Sequence, residues 1–391
     1  MEEDIMRNLK ITIALALGVA FAAAPAVARD HAEAKIPRLD HVFVIVMENH
    51  YFHQIYGNTN APFVTSYANS ANLAANYFGV GHPSLTNYLE IVGGSNFGVV
   101  NDNSPDWHNS ACKSNLETNT PALEGAPNIC PIAGSGMDAA TPAVDTTNEG
   151  SPGAPIYNDP IDPAFTVGRT IADQLVEAGL SWKSYQQSLP PYGADKVNNS
   201  DGMISDLTTA VAGMPLLYAV KHNPFVYFAS VQEGDDGSGL ANVAGFEQLY
   251  ADLRAGAVPN YSFIVPDQCH DQHGRGSSEV GPYCSTDSLS IQAGDVAVQN
   301  LVGAIHASDA WKHGRNAIVV VWDENDYSSL PNQVVTIVDT NYGVSKTTSN
   351  VKYNHFSLLK TIEAGFGLSY LNHAADQTVP LMSDLFAPAD H

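Results

Sequence analysis

"HVFVIVMENHYFHQIYGN", His41 to Asn58, begins as a buried strand and ends as a polar loop. Val, Phe and Ile fill every position from Val42 to Val46, with none of the alternation of a half-exposed strand. That is the pattern of a strand covered on both faces of a parallel sheet. Glu48, Asn49 and His50 come immediately after it. Parallel sheets bind ligands at the carboxyl ends of their strands, so three polar side chains in this place mark an edge where chemistry can collect.

Comparable apolar runs recur at "PFVYFASV" from Pro224, "YSFIVPD" from Tyr261, "NAIVVVWDEND" from Asn316 and "QVVTIVD" from Gln333. Helical periodicity separates them, in "VGRTIADQLVEAGL" from Val167, "GFEQLYADLRAG" from Gly245, "SIQAGDVAVQNLVGAIHAS" from Ser290 and "HFSLLKTIEAGFG" from His355. Alternation of this kind predicts an α/β fold with a mostly parallel central sheet covered by helices on both faces.

The first residues bear on location. Arg7 and Lys10 precede an apolar stretch from Ile11 to Ala24, and Ala26-x-Ala28 supplies small residues for cleavage. Residues 1–28 are therefore expected to be a secretory signal peptide, and residues 29–391 one domain, secreted or periplasmic. The stretch is short for a spanning helix, and no later segment predicts stable membrane association. Four cysteines suit an oxidising compartment, with local pairing of Cys112 to Cys130 and of Cys269 to Cys284 expected. Residues 101–163, rich in Asn, Pro, Gly, Ser and Thr, are expected to form a surface excursion stapled by the first pair. A net charge of −24 argues against nucleic acid as a partner.

The residues just beyond the strands are unusual. Glu48 ends the first; "PDQCHDQHG" brings Asp267, His270, Asp271 and His273; "WDENDYS" brings Asp323, Glu324 and Asp326. Carboxylates gathered on one edge repel one another unless a cation or shared protons lie between them. Oxygen-rich donors with a few imidazoles suit a divalent Ca, Mg, Mn or Zn ion. A second element, "GVGHPSLTNYLEIVGG" from Gly79, places Ser84 where a helix is expected to begin at Leu85, and unpaired N–H groups there favour an anion such as phosphate. A triad of Ser84, His355 and Asp323 is the obvious hydrolase reading, yet the G-x-S-x-G elbow is missing, and a hydroxyl activated by a bound cation fits better. A glycosidase using Glu48 and Glu324 leaves Ser84 and the histidines without a role.

The segments "VIVMENHYFHQIYGN", "GHPSLTNYLEIVGGS", "WKSYQQSLP", "VPNYSFIVPDQCHDQHG", "VVWDENDYS" and "NHFSLLKTIEAGFGL" together resemble the phosphoesterase family of acid phosphatases and phospholipases C, within the alkaline-phosphatase-like superfamily. The resemblance runs in order from about Leu39 to Phe366. It implies a three-layer α/β/α sandwich and a phosphate-ester substrate. It further implies that Ser84 is a nucleophile forming a phosphoserine and that Asn87 hydrogen-bonds a phosphoryl oxygen. Glu48, Asn49, Asp323 and Glu324 would then hold a metal, and His270, His273 and His355 would surround the phosphoryl group. Asp267 and Asp271 would support those histidines or complete a second metal site. Two departures stand out. Tyr51-Phe52-His53 replaces the family's usual Ser-Phe-Asp, and Asn325-Asp326-Tyr327 replaces the His-Gly-Gly of many phospholipases C. The second points to the acid phosphatase branch. A phosphodiesterase of phospholipase C type and a non-enzymatic, metal-stabilised binding protein are the remaining alternatives.

Overall fold

The computed structural model describes residues 36–99, 101–106, 129–133, 168–190, 217–234, 239–274, 284–329 and 331–388. The expected signal peptide lies outside these residues, as do Cys112 and most of the expected excursion at 101–163.

Eleven strands are described: β1 His41–Met47, β2 Asn72–Ala74, β3 Tyr77–Phe78, β4 Trp182–Gln186, β5 Val243–Gly245, β6 Tyr261–Val265, β7 Asn316–Trp322, β8 Gln333–Val334, β9 Thr336–Thr340, β10 Thr348–Ser349 and β11 Tyr353–Asn354. Eight form one sheet in the order β10-β2-β9-β7-β1-β6-β4-β5, and three form a small sheet, β11-β3-β8. Within the large sheet only β9 runs antiparallel to its neighbours. From Val42 onward β1 is fully buried, as are all of β6 and β7, which explains their unbroken apolar sequences.

Two mutually packed groups of helices flank the sheet. One contains Pro62–Ser70, Phe246–Ala255 and Asp287–Ala307; the other contains Ser84–Gly93, Ile171–Glu177 and His355–Phe366. Their ends carry local signals. Thr170 and Asp173 form a capping box, Asn354 accepts from Ser357 N–H, and Gly256 ends its helix at φ 63°.

Two expected strands turn out differently. "PFVYFASV" folds as a 3₁₀ turn, Pro224–Tyr227, followed by the helix Ala229–Glu233. Proline suits the first helical position, and a short apolar run does not by its pattern distinguish a buried strand from a buried helix. Phe225 lies on the sheet instead of within it, its ring 4.6 Å from Trp182 and 5.4 Å from Phe263. The strand beside β6 is β4, "WKSYQ". "QVVTIVD" divides at Val335, β8 joining the small sheet and β9 the large one.

Glu363, in the His355 helix, is fully buried; its Oε1 accepts from Leu371 N–H at 2.9 Å, and its Oε2 has no partner among the described residues. Burial holds this carboxyl well above its ordinary range, against weaker opposition from the Leu371 N–H and Lys360. The native state therefore keeps a proton that the unfolded chain releases, so this contribution to stability is complete at low pH and is lost as pH rises. Glu363→Gln should gain on the wild type by up to roughly 1.4 kcal/mol per pH unit above about pH 5. Urea unfolding at pH 5 and pH 8 tests this; a difference that does not change with pH contradicts it.

Candidate functional site

The register of β1 and β7 builds the centre of the site. Met47 stands opposite Trp322, so Glu48 and Asp323 leave neighbouring strands side by side, and Asp323 N–H donates to Met47 O at 3.0 Å. Among the described residues, Glu48, Asp323 and Glu324 are the group whose donor atoms lie within 4.8 Å of one another, and all three are buried. Asn49 adopts the left-handed conformation at φ 55°, which Asn tolerates better than most side chains. In that pose its backbone N–H reaches Asp323 Oδ1 at 3.2 Å. Asp323 Oδ2 is buried without a hydrogen-bond partner among the described residues. An orphaned carboxylate oxygen beside two further carboxylates is a donor set for a hard divalent cation.

Ser84 closes this group. It is the first residue of its helix, one position earlier than expected, and it is 1% exposed. Its Oγ lies 3.2 Å from Glu48 Oε2 and 3.1 Å from Glu324 Oε1. One hydroxyl proton serves only one of these oxygens, so the other contact needs a second proton or a cation. Ser84 Oγ also fills the space between Glu48 and Glu324 that a glycosidase pair would leave for its substrate. At Gly79 an added Cβ would fall 2.6 Å from the Asp323 carbonyl, so the chain packs against the cluster only because that position lacks a side chain.

Asn87 is fully committed. Its Oδ1 accepts from Val80 and Gly81 N–H, and its Nδ2 donates to Gly81 O and to Glu324 Oε2 at 3.1 Å. It clamps the turn before Ser84 onto Glu324. His355 lies behind the cluster, with Nε2 2.6 Å from the Asp323 carbonyl and Nδ1 3.0 Å from Tyr77 OH. Burial pushes this imidazole down to about 4, so a neutral ring donates through Nε2 and accepts through Nδ1.

The structure adds four residues that the strand pattern did not single out. His222 sits between two carboxylates, Nε2 2.9 Å from Glu48 Oε1 and Nδ1 3.1 Å from Asp271 Oδ2. Burial works to lower its pKa, but Glu48 and Asp271 prevail and raise it to about 9, so it is an imidazolium. Burial likewise works to raise Glu48, and His222 overrides it, holding Glu48 well below the usual carboxylate range. Asp323 and Glu324 go the other way: burial and then Glu48 raise Asp323, while burial raises Glu324 against opposition from His82, with Glu48 adding to the rise. His82 places Nδ1 2.7 Å from Glu324 Oε2 and stacks under Tyr327 at 3.8 Å. Lys221 and Asp102 form an ion pair at 3.0 Å, and the other Asp102 oxygen accepts from Leu85 N–H at 3.0 Å. The signal for His222 and Lys221 was a Lys-His pair abutting the apolar run at Pro224, which a strand reading of that run obscures.

Asp271 joins the cluster through His222 and accepts Glu48 N–H on its backbone carbonyl at 2.8 Å. Its Oδ1 accepts from His273 N–H, and His273 Nε2 lies 3.4 Å from Lys221 Nζ. Asp267 and His270 pair with each other at 2.7 Å, and Asp267 also accepts from Ser188. Asp326 accepts from Gln54 and Ser328. The expected Cys269–Cys284 disulfide is present in this loop; Cys130 is also disulfide-bonded, while Cys112 lies outside the described residues. His50 turns Nδ1 to the Glu48 carbonyl at 3.0 Å. In the altered Tyr51-Phe52-His53, Phe52 is buried and His53 is exposed.

The sequence profile of the phosphoesterase family matches residues 56–369, a span that includes Ser84, Lys221, His222, Asp271, Asp323 and Glu324 and begins after Glu48. A phosphatidylinositol-3-phosphatase of Mycobacterium tuberculosis is 25% identical over 357 residues, covering 91% of this chain and 85% of that protein. A phosphate-repressible acid phosphatase of Penicillium chrysogenum is 22% identical, covering 76% of this chain and 53% of its own length, so the chain spans about half of that fungal relative. Among solved structures, an alkaline phosphatase superfamily protein of Vibrio parahaemolyticus superposes with a TM-score of 0.48 at 12% identity, over 88% of this chain and 72% of that one. With four fifths of its length matched by one profile, this chain belongs to the phosphoesterase family.

Proposed function

We propose that this protein is a secreted, divalent-cation-dependent phosphatase that hydrolyses phosphate monoesters through Ser84. The observation that carries the reading is the Ser84 hydroxyl, buried at a helix start within 3.2 Å of both Glu48 and Glu324 and beside the orphaned Asp323 Oδ2. The names of the relatives, acid phosphatase and phosphatidylinositol-3-phosphatase, support it. The apolar leader ending at Ala28 and the Cys269–Cys284 disulfide support export.

Glu48, Asp323 and Glu324 would hold the cation, with Asn49 fixing Asp323 through its backbone N–H. When bound, a divalent cation supplies the positive charge this trio lacks and lowers the pKa of a neighbouring hydroxyl. The chemistry of the chain itself is a double displacement. Ser84 Oγ attacks phosphorus, the P–O bond to the alcohol breaks, and a phosphoserine forms. Water then attacks phosphorus and returns Ser84 to its hydroxyl, with inorganic phosphate as the second product. His222 keeps Glu48 ionised beside the nucleophile. His82 shares Glu324 with Ser84 and would hand a proton to the departing alkoxide.

Ser84→Ala should lower kcat/KM for 4-nitrophenyl phosphate by at least about 1,000-fold while the protein stays folded; near wild-type turnover contradicts the reading. Removing metal with a chelator should abolish turnover and lower Tm, and one of Ca, Mg, Mn or Zn should restore both. Turnover that survives exhaustive chelation with no metal left by elemental analysis contradicts cation dependence.

A further inference from the structure

The contacts around Ser84 close into a ring. From Ser84 Oγ they pass through Glu48, His222 and Asp271 to His273, then to Lys221 and Asp102, and return to Leu85 N–H, one residue after Ser84. Lys221 joins this ring between His273 and Asp102. Its side chain is 3% exposed, and removing an ammonium from water is costly unless it meets an anion.

The placement of Lys221 is specific. His273 N–H and ring are fixed by Asp271 and by the Gly274 carbonyl, which lies 2.8 Å from Nδ1. Because Nδ1 donates to the Gly274 carbonyl, the bare Nε2 at 3.4 Å accepts from the ammonium. Asp102 pulls the same ammonium toward the start of the ten-residue Ser84 helix. One carboxylate there bridges a helix-terminal N–H and a lysine, the two kinds of donor that bind phosphoryl oxygens at helix starts. Through Asp102, Lys221 Nζ is one carboxylate away from the backbone N–H of Leu85, the residue after the nucleophile.

We propose that Lys221 is the residue that selects monoesters over diesters: held by Asp102 and His273, its ammonium pairs with the second negative charge of a dianionic phosphate monoester, a charge that a diester lacks. This rests on the phosphatase reading above and assigns its substrate preference to one side chain. A purely structural Lys221, tying the segment at Asp102 to the turn at Val220–His222, would affect both ester classes equally.

The test compares kcat/KM for 4-nitrophenyl phosphate and for bis(4-nitrophenyl) phosphate on the metal-loaded full chain. The wild type is expected to favour the monoester, and Lys221→Met to lower the monoester-to-diester ratio by about 100-fold, the scale of losing one donor to a phosphoryl oxygen. Lys221→Arg, which keeps the charge, should recover most of the ratio, and inorganic phosphate should inhibit Lys221→Met more weakly than the wild type. Equal losses on both esters, or a lower Tm with the ratio unchanged, overturn the proposal. If Lys221→Met does not fold, the wild-type ratio and Lys221→Arg decide: a wild type that favours the diester, or an arginine variant that loses the ratio while folded, overturns it. Absence of turnover on either ester by the wild type removes the phosphatase reading itself, and this assignment with it.

Discussion

The parallel register of β1 against β7 is the constraint on which the site depends. Because Met47 faces Trp322, the first residues beyond each strand emerge together, and two carboxylates meet in a buried place where neither would be stable alone. A slip of one residue would turn Glu48 and Asp323 toward different faces. The sheet is thus not only a core; its hydrogen-bonded ladder supplies the rigidity that holds mutually repelling groups at contact distance. The surrounding elements complete that task. Asn49 in its left-handed pose fastens Asp323, Asn87 clamps the turn before Ser84, and His355 supports the Asp323 carbonyl from behind.

Charge is arranged as unevenly as position. His222 is shared by Glu48 and Asp271 and fixes Glu48 as an anion, whereas Asp323 has no such partner and His82 beside Glu324 does not offset the burial of that carboxyl, so both are driven toward the protonated form. The asymmetry explains why the same three carboxylates both stabilise an ionised neighbour of Ser84 and retain the capacity to take up a cation. Lys221 extends the positive side of the ring toward the helix start that a phosphoryl group would approach.

Much of this was legible in the chain. The unbroken apolar runs at Val42 and Ala317 identified the central strands, and the polar residues directly after them identified Glu48, Asp323 and Glu324, because strand ends in a parallel sheet converge. Ser84 was legible from its place before a helical pattern. His222, Lys221 and Asp102 were not, because they come from a 3₁₀ turn and a loop whose approach to the cluster is set by tertiary packing. The apolar run at Pro224 misled for a physical reason: a segment buried against a sheet carries the same composition as one buried within it. Asp267 pairs with His270, one of the arrangements expected for it, and also accepts from Ser188, whereas Asp326, which shares the same sequence signature, is engaged with Gln54 and Ser328. Proximity along the chain to a strand end does not determine which way a side chain turns.

The central claim is that Ser84 carries the phosphoryl group between two displacements. Stereochemistry at phosphorus tests it most directly, using a phosphate monoester made chiral with oxygen isotopes and an acceptor alcohol in place of water. Two in-line displacements, first by Ser84 and then by the acceptor, predict net retention of configuration. Net inversion would mean a single direct transfer to the acceptor, and would contradict a phosphoserine at Ser84.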